Sequence, residues 1–188
     1  MLRIITGTAK GKKLKSPDGE ATRPTSERIK EAIFSSLQFD LEGRRVLDLF
    51  AGTGQMGLEA ISRGAESALF IDSSREVMEI IKDNAKSVGF FDKCRFLVSD
   101  AKNYIRKASG REKFDLVFVD PPYSSKCCSE IADRLAKAAI LAKGAIVVLE
   151  SGEEEIDPSL LCGYEIIKST HYGKKSFVNI ILYTGVKE

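Results

Sequence analysis

Two short runs of the chain hold residues whose types and spacing can do chemistry. The first is "LVFVDPPY", in which four apolar residues end at the carboxylate of Asp120 and are followed by Pro121, Pro122 and Tyr123. Proline holds φ near about −65° and has no amide donor, and Pro122 also restrains Pro121 towards extended backbone. The Asp120 carboxylate and the Pro121 carbonyl therefore become two fixed acceptors beside an aromatic ring. Such a pair suits an amino group on a flat ring or an amide. It holds the amino hydrogens and turns the nitrogen lone pair towards an electrophile, while Tyr123 stacks on the plane. A delocalised nitrogen is a weak nucleophile, so catalysis must come from alignment, worth roughly 7 to 11 kcal/mol for well-oriented reactants. Taken alone, the same residues also fit a rigid turn whose acid caps the next segment.

The second run, "DLFAGTGQMG", places Gly52, Gly54 and Gly57 in a GxGxxG spacing between a strand and a helix. Glycine permits the tight turn and a close ligand, and the helix N-terminus offers unpaired amides. In a dinucleotide enzyme an acid about twenty residues on grips a ribose hydroxyl, and Asp72 ends the next strand at that distance. S-adenosylmethionine has the same ribose diol. Asp48, just before the loop, can meet its ammonium group, for which a nicotinamide dinucleotide has no counterpart. Asp100 can accept from the adenine amino group. The methyl sulfonium of S-adenosylmethionine is also the electrophile that "DPPY" requires. It needs neither a metal nor a histidine base, and the sole histidine, His171, falls in the terminal hairpin.

These residues need a scaffold that gathers strand ends. From Gly43 onward apolar strands alternate with amphipathic helices: "RRVLDLF", the helix "GQMGLEAISRG", "SALFID", the helix "SREVMEIIKDNAKSVG" burying Val77, Ile81, Ala85 and Val88, "CRFLVS", the helical "AKNYIRKA", "FDLVFV", a helix through "CSEIADRLAKAAI", and "GAIVVLE". Short continuous apolar runs separated by helices predict a doubly wound α/β fold with a mostly parallel sheet covered on both faces. The connection between "GYEIIKSTHY" and "SFVNIILYT" is too short for a crossover helix, so one strand is reversed in an antiparallel hairpin. Upstream, "RIITGTAKGKKLKS" reads as two short strands around a Thr-Ala-Lys-Gly turn, and "PDGEATRPT" as loop. Thr25 or Ser26 then caps a helix burying Ile29, Ala32, Ile33 and Leu37, with Arg28, Lys30 and Glu31 on the opposite face.

The 188 residues suit a single domain able to bury its own core. Between Met1 and Lys30, eight basic residues against three acidic ones give +5; the whole chain carries +2, so the remainder sums to −3. A basic arm on an acidic body fits contact with a polyanion through one face, and a solvated lysine-rich hairpin gives the same pattern. Cys94, Cys127, Cys128 and Cys162 match no CxxC or zinc spacing, so reduced thiols are expected and no metal site. The absence of a signal-like start and of a long apolar run predicts a soluble cytoplasmic protein with no membrane contact. No exposed apolar stripe stands out, which predicts a monomer.

The loop and "FVDPPY" resemble the motifs of class I methyltransferases acting on exocyclic amino groups, including those for DNA adenine N6 and protein glutamine N5. The front end discriminates further: "LRIITGTAKGKKLKSP" followed by "RPTSERIKEAIFSSL", together with "HYG" near the end, is similar to bacterial 16S ribosomal RNA guanine N2 methyltransferases. The resemblance implies a Rossmann-like fold with a seven-stranded sheet and an N-terminal hairpin extension. Residues 1–25 would be the basic hairpin and loop of one methyltransferase domain, and 26–188 its catalytic core. S-adenosylmethionine would be held by Asp48, Phe50, Ala51, Gly52, Thr53, Gly54, Asp72, Asp100 and Ala101. Asp120, Pro121, Pro122 and Tyr123 would grip the guanine. Lys10, Lys12, Lys13, Lys15, Arg23 and Arg28 would meet RNA, either as 16S ribosomal RNA or within an assembling small subunit, with the base splayed out before reaction. A DNA or protein amino methyltransferase, a nicotinamide-dependent oxidoreductase and a non-catalytic RNA chaperone remain the alternatives.

Overall fold

The computed structural model describes residues 2–17, 27–122, 127–152, 156–173 and 176–185. The expected "PDGEATRPT" loop lies outside them from Asp18 onward, as do the helix caps Thr25 and Ser26, Arg23 and Tyr123. The elements in chain order are α1 (Glu27–Ser36), β1 (Arg45–Asp48), α2 (Gln55–Ser62), β2 (Ser67–Asp72), α3 (Arg75–Val88), β3 (Cys94–Val98), α4 (Ala101–Ala108), β4 (Phe114–Val119), α5 (Cys128–Lys137), β5 (Leu141–Ser151), β6 (Tyr164–His171) and β7 (Phe177–Tyr183). Of the seven strands, β3-β2-β1 hydrogen-bond in that order in one part of the chain and β4-β5-β7-β6 in the other. The chain divides into two compact units, Met1–Asp100 and Ala101–Glu188.

In the first unit β1 pairs parallel with β2, and β2 parallel with β3. Val46 and Leu47 of β1 and Leu69, Phe70 and Ile71 of β2 are buried, as expected of strands with no solvated face. The core is closed by α2, every residue of which is buried, and by α3 through Met78, Ile81, Ala85 and Val88. Met78 is buried and Val77 only half-buried, a one-position rotation of the predicted face. Gly89 closes α3 in the left-handed conformation, φ 84°.

The N-terminal segment turns back on itself through Gly7 and Gly11, both at positive φ. Regular pairing is limited to the antiparallel bridge Arg3↔Lys13 rather than two strands. Ile4, Ala9 and Leu14 are buried, so the segment is packed against its unit. Lys30, expected on the solvated face of α1, is also fully buried. Its amine donates to the Arg3 carbonyl at 2.7 Å and lies 3.7 Å from Glu59.

In the second unit β4 pairs parallel with β5, while β7 is antiparallel to both β5 and β6. This leaves β7 as the single reversed strand, as the short connection required. Helix α5 stops at Lys137, short of the expected Ile140, and Ala139 is left-handed at φ 53°. That conformation costs a non-glycine residue roughly 1–2 kcal/mol and cannot continue a right-handed helix. β5 starts at Leu141, three residues earlier than predicted, and absorbs Gly144 where the register shifts between Phe114 and Leu116.

Among the described residues, no helix is long and apolar enough to cross a membrane. None of their His, Cys, Asp and Glu side chains forms a group of three or more able to hold a metal ion.

Candidate functional site

The loop of the first unit follows directly from β1. Gly54, the residue before α2, is left-handed at φ 76° and offers no side chain to cap the helix. Asp48 does so instead: its buried carboxylate accepts the Gly57 amide at 3.2 Å. A negative group at the amino end of a helix is favoured by the helix dipole as well as by the bond. Gly52 also has positive φ, at 52°.

Gly57 has a different reason. A Cβ placed there would lie 2.4 Å from the Phe70 ring on β2, so this glycine permits close helix–strand packing. Gly54 faces Ile81 in the same way at 2.8 Å. Of the three glycines in the spacing, two are explained by packing within the unit.

Asp72 ends β2 and uses both carboxylate oxygens as a clamp. One accepts the Gly52 amide at 3.1 Å, and the other the Ser74 amide at 2.9 Å. Ser74 in turn caps α3 by accepting from Val77 at 3.2 Å. A carboxylate has about four acceptor positions, so these two bonds leave capacity for a vicinal diol. The Ala51 amide donates to Ile71 at 3.0 Å, and Asn84 holds the Thr53 carbonyl at 2.9 Å. Phe50 and Gly52 are half-buried, Ala51, Thr53 and Gly54 buried, and Asp100 exposed in the turn after β3. Ala101 is the buried first residue of α4, in the second unit.

In the second unit Asp120 follows directly on β4. It is half-buried, Pro121 is buried and Pro122 exposed. Val119 pairs with Leu149, so Asp120 and Glu150 are each one residue beyond that pair on neighbouring strands. Glu150 is buried. It is an acid near the end of a buried apolar strand, the same signal that pointed to Asp48, Asp72 and Asp120, and the motif reading passed over it. His171 ends β6, its ring centroid 4.2 Å from that of Phe177.

The basic residues divide into two groups. Lys12 donates to the Val88 carbonyl at 3.0 Å, and Lys15 pairs with Asp83 at 3.0 Å; Lys15 holds the Asp83 carboxyl below its ordinary value by that hydrogen bond first and by charge second. Lys10, Lys13 and Arg28 are exposed.

The sequence reading missed the groups that carry this segment. Glu59, buried in α2, accepts the amides of Ile5 and Thr6 and the guanidinium of Arg63, while Ser62 donates to the Thr6 carbonyl. An acid within the otherwise apolar "QMGLEAIS" was the available signal. Burial lowers the Lys30 amine below its ordinary value, outweighing the pull of Glu59.

The family model Conserved hypothetical protein 95 matches residues 2–181. Ribosomal RNA small subunit methyltransferase D of Escherichia coli (strain K12) is 31% identical over 176 residues, 94% of this chain and 87% of that protein. YlbH of Bacillus subtilis (strain 168), a candidate rRNA methyltransferase, is 32% identical over 173 residues, 92% of this chain and 94% of its own. Among solved structures, yhhF from Escherichia coli, a candidate methyltransferase, superimposes with a TM-score of 0.87 at 30% identity, covering 98% of each chain.

Proposed function

Because this chain belongs to the Conserved hypothetical protein 95 family, we propose that it methylates ribosomal RNA, transferring the methyl group of S-adenosylmethionine to the exocyclic N2 of a guanine in 16S RNA of the small subunit. Its seven-stranded Rossmann-like fold is that of class I methyltransferases, and we read both units as one methyltransferase domain working in the cytoplasm. The observation that carries the reading is Asp120 at the end of β4, followed by the buried Pro121 and by Pro122.

The donor set of the first unit fits the cofactor. Asp72 keeps acceptor capacity for the ribose diol while it fixes Gly52, and Asp48 supplies a buried negative charge beside the loop for an ammonium group. Phe50, Ala51, Gly52, Thr53, Gly54 and Ala101 would also hold the cofactor, with Asp100 accepting from its adenine amino group. When bound, S-adenosylmethionine supplies an electrophilic methyl group on a positively charged sulfur. Asp120 and the Pro121 carbonyl hold the two amino hydrogens of the guanine, and Tyr123 stacks on the base. This geometry frees the nitrogen lone pair for attack without a strong base. Asp120 would take the proton that the amino nitrogen gives up on methylation, with S-adenosylhomocysteine as the leaving group. Lys10, Lys13 and Arg28 bind phosphates and hold the RNA in place; Arg23 joins them, and Lys12 and Lys15 add charge while anchoring α3.

The test incubates small subunits from cells lacking the homologous enzyme with labelled S-adenosylmethionine and either wild type or Asp120→Ala. Label is expected in RNA as N2-methylguanine, falling by roughly 100-fold or more in the variant, the scale of a lost proton acceptor. Label in DNA or protein alone would move the activity to another amino substrate.

A further inference from the structure

Asn84, in the middle of α3, is 1% exposed and satisfies groups on two separate parts of the first unit. Its side-chain oxygen accepts the Lys15 amide at 2.7 Å. Its nitrogen donates to the Lys15 carbonyl at 3.0 Å and to the Thr53 carbonyl at 2.9 Å. An amide nitrogen has two hydrogens, so both are used. The opposite orientation would set its oxygen against two carbonyls, so the network fixes the amide one way round. One buried side chain therefore holds the end of the basic segment by its main chain and the cofactor loop by its own. The helix carrying Asn84 begins at Ser74, whose amide is held by the Asp72 carboxylate that also holds Gly52.

We propose that Asn84 is a positioning residue that couples the basic segment to the cofactor loop, so that RNA held by Lys10 and Lys13 and cofactor held beside Thr53 strengthen each other's binding. The inference rests on the reading of this segment as RNA-binding. Loosening either side leaves Asn84 with a buried hydrogen-bonding group unmatched, and the ligand that orders one side reduces the ordering cost left to the other. Gly7 adds to the same connection: its φ is +86°, and a Cβ there would lie 1.8 Å from the Ser62 carbonyl at the end of α2. The basic segment thus lies directly against the helix that the cofactor loop opens.

The experiment measures S-adenosylhomocysteine affinity by calorimetry, with and without 16S RNA, in wild type, Asn84→Ala and Asn84→Asp. The aspartate keeps the acceptor for Lys15 and removes both donors. In wild type, RNA is expected to tighten S-adenosylhomocysteine binding by roughly fivefold or more, with an equal reciprocal effect on RNA. Both variants should bind each ligand singly with the coupling factor near one; a structural role alone would lower stability and leave that factor unchanged. Coupling retained in the variants, or absent from wild type, would overturn the inference. If wild type binds no RNA, the RNA reading of the segment falls. In that case, or if the variants do not fold, hydrogen exchange of the wild-type Lys15 amide decides. Slower exchange with S-adenosylhomocysteine bound supports the connection through Asn84, and unchanged exchange removes it.

Discussion

The carboxylate of Glu59 accepts the Ile5 amide at 2.7 Å, which ties the N-terminal segment to the middle of α2. The same carboxylate takes the Thr6 amide at 3.0 Å and the Arg63 guanidinium at 2.8 Å. Glu59→Ala strands all of these groups and is expected to cost about 3–5 kcal/mol, the scale for breaking a buried charge network. Lys30→Met should cost less, because Glu59 keeps Arg63 and both amides. Urea denaturation of the two variants checks the order, and trypsin cleavage around Lys10–Lys13 should quicken in Glu59→Ala.

Asp72 holds Gly52 and Ser74 with separate oxygens. Asp72→Ala is expected to weaken S-adenosylhomocysteine binding by about 10- to 100-fold, the range for hydrogen bonds to a charged group, while RNA affinity measured without cofactor stays unchanged. Calorimetric titration with each ligand separates loss of the cofactor loop from general unfolding.

Gly57 and Phe70 occupy space that a single methyl group would contest. Gly57→Ala should destabilise by about 1–3 kcal/mol through overpacking. Phe70→Leu in the same chain should recover part of the loss, giving a favourable interaction energy in a double-mutant cycle. Additive losses would place the strain elsewhere.

Burial pushes the Cys94 thiol up to about 12 from an ordinary 9.0, and the thiol donates to the Phe90 carbonyl at 3.1 Å. The folded chain therefore keeps a proton that the unfolded chain gives up above 9.0. Its effect on stability is absent below that pH and grows as a loss from pH 9.0 towards about 12. Denaturation midpoints of Cys94→Ala should fall less steeply than those of wild type between pH about 9 and about 11. In the native protein the exposed Cys162 should alkylate before Cys94 and the buried Cys128.

Lys10, Lys13 and Arg28 are exposed on the first unit. Each replacement by alanine should flatten the dependence of log RNA affinity on log salt by about 0.7–0.9 units, as counterion release requires for one lost phosphate contact. A slope unchanged in all three variants would take these residues out of the interface.

Much of the framework was legible before any packing was known. Apolar runs and their periods report locally which residues are covered, so β1, β2, β4 and β7 fell where expected; the short connection required one strand of the terminal pair to be reversed, and the pairing makes it β7. Gly54 and Gly89 marked helix boundaries through backbone preferences carried by the residues themselves. Acids at strand ends were equally visible, and Asp48 and Asp72 do hold the glycine loop. What only the tertiary structure decided was the pairing of polar groups far apart in the chain. Glu59 meets Ile5 across 54 positions and Asn84 meets Lys15 across 69. Lys30 looked like one more solvated lysine until Glu59 and the Arg3 carbonyl enclosed it. Hydrophobic periodicity is a property of neighbouring residues, whereas a buried polar group is stable only with its partner, and that partner is assigned when two distant segments pack.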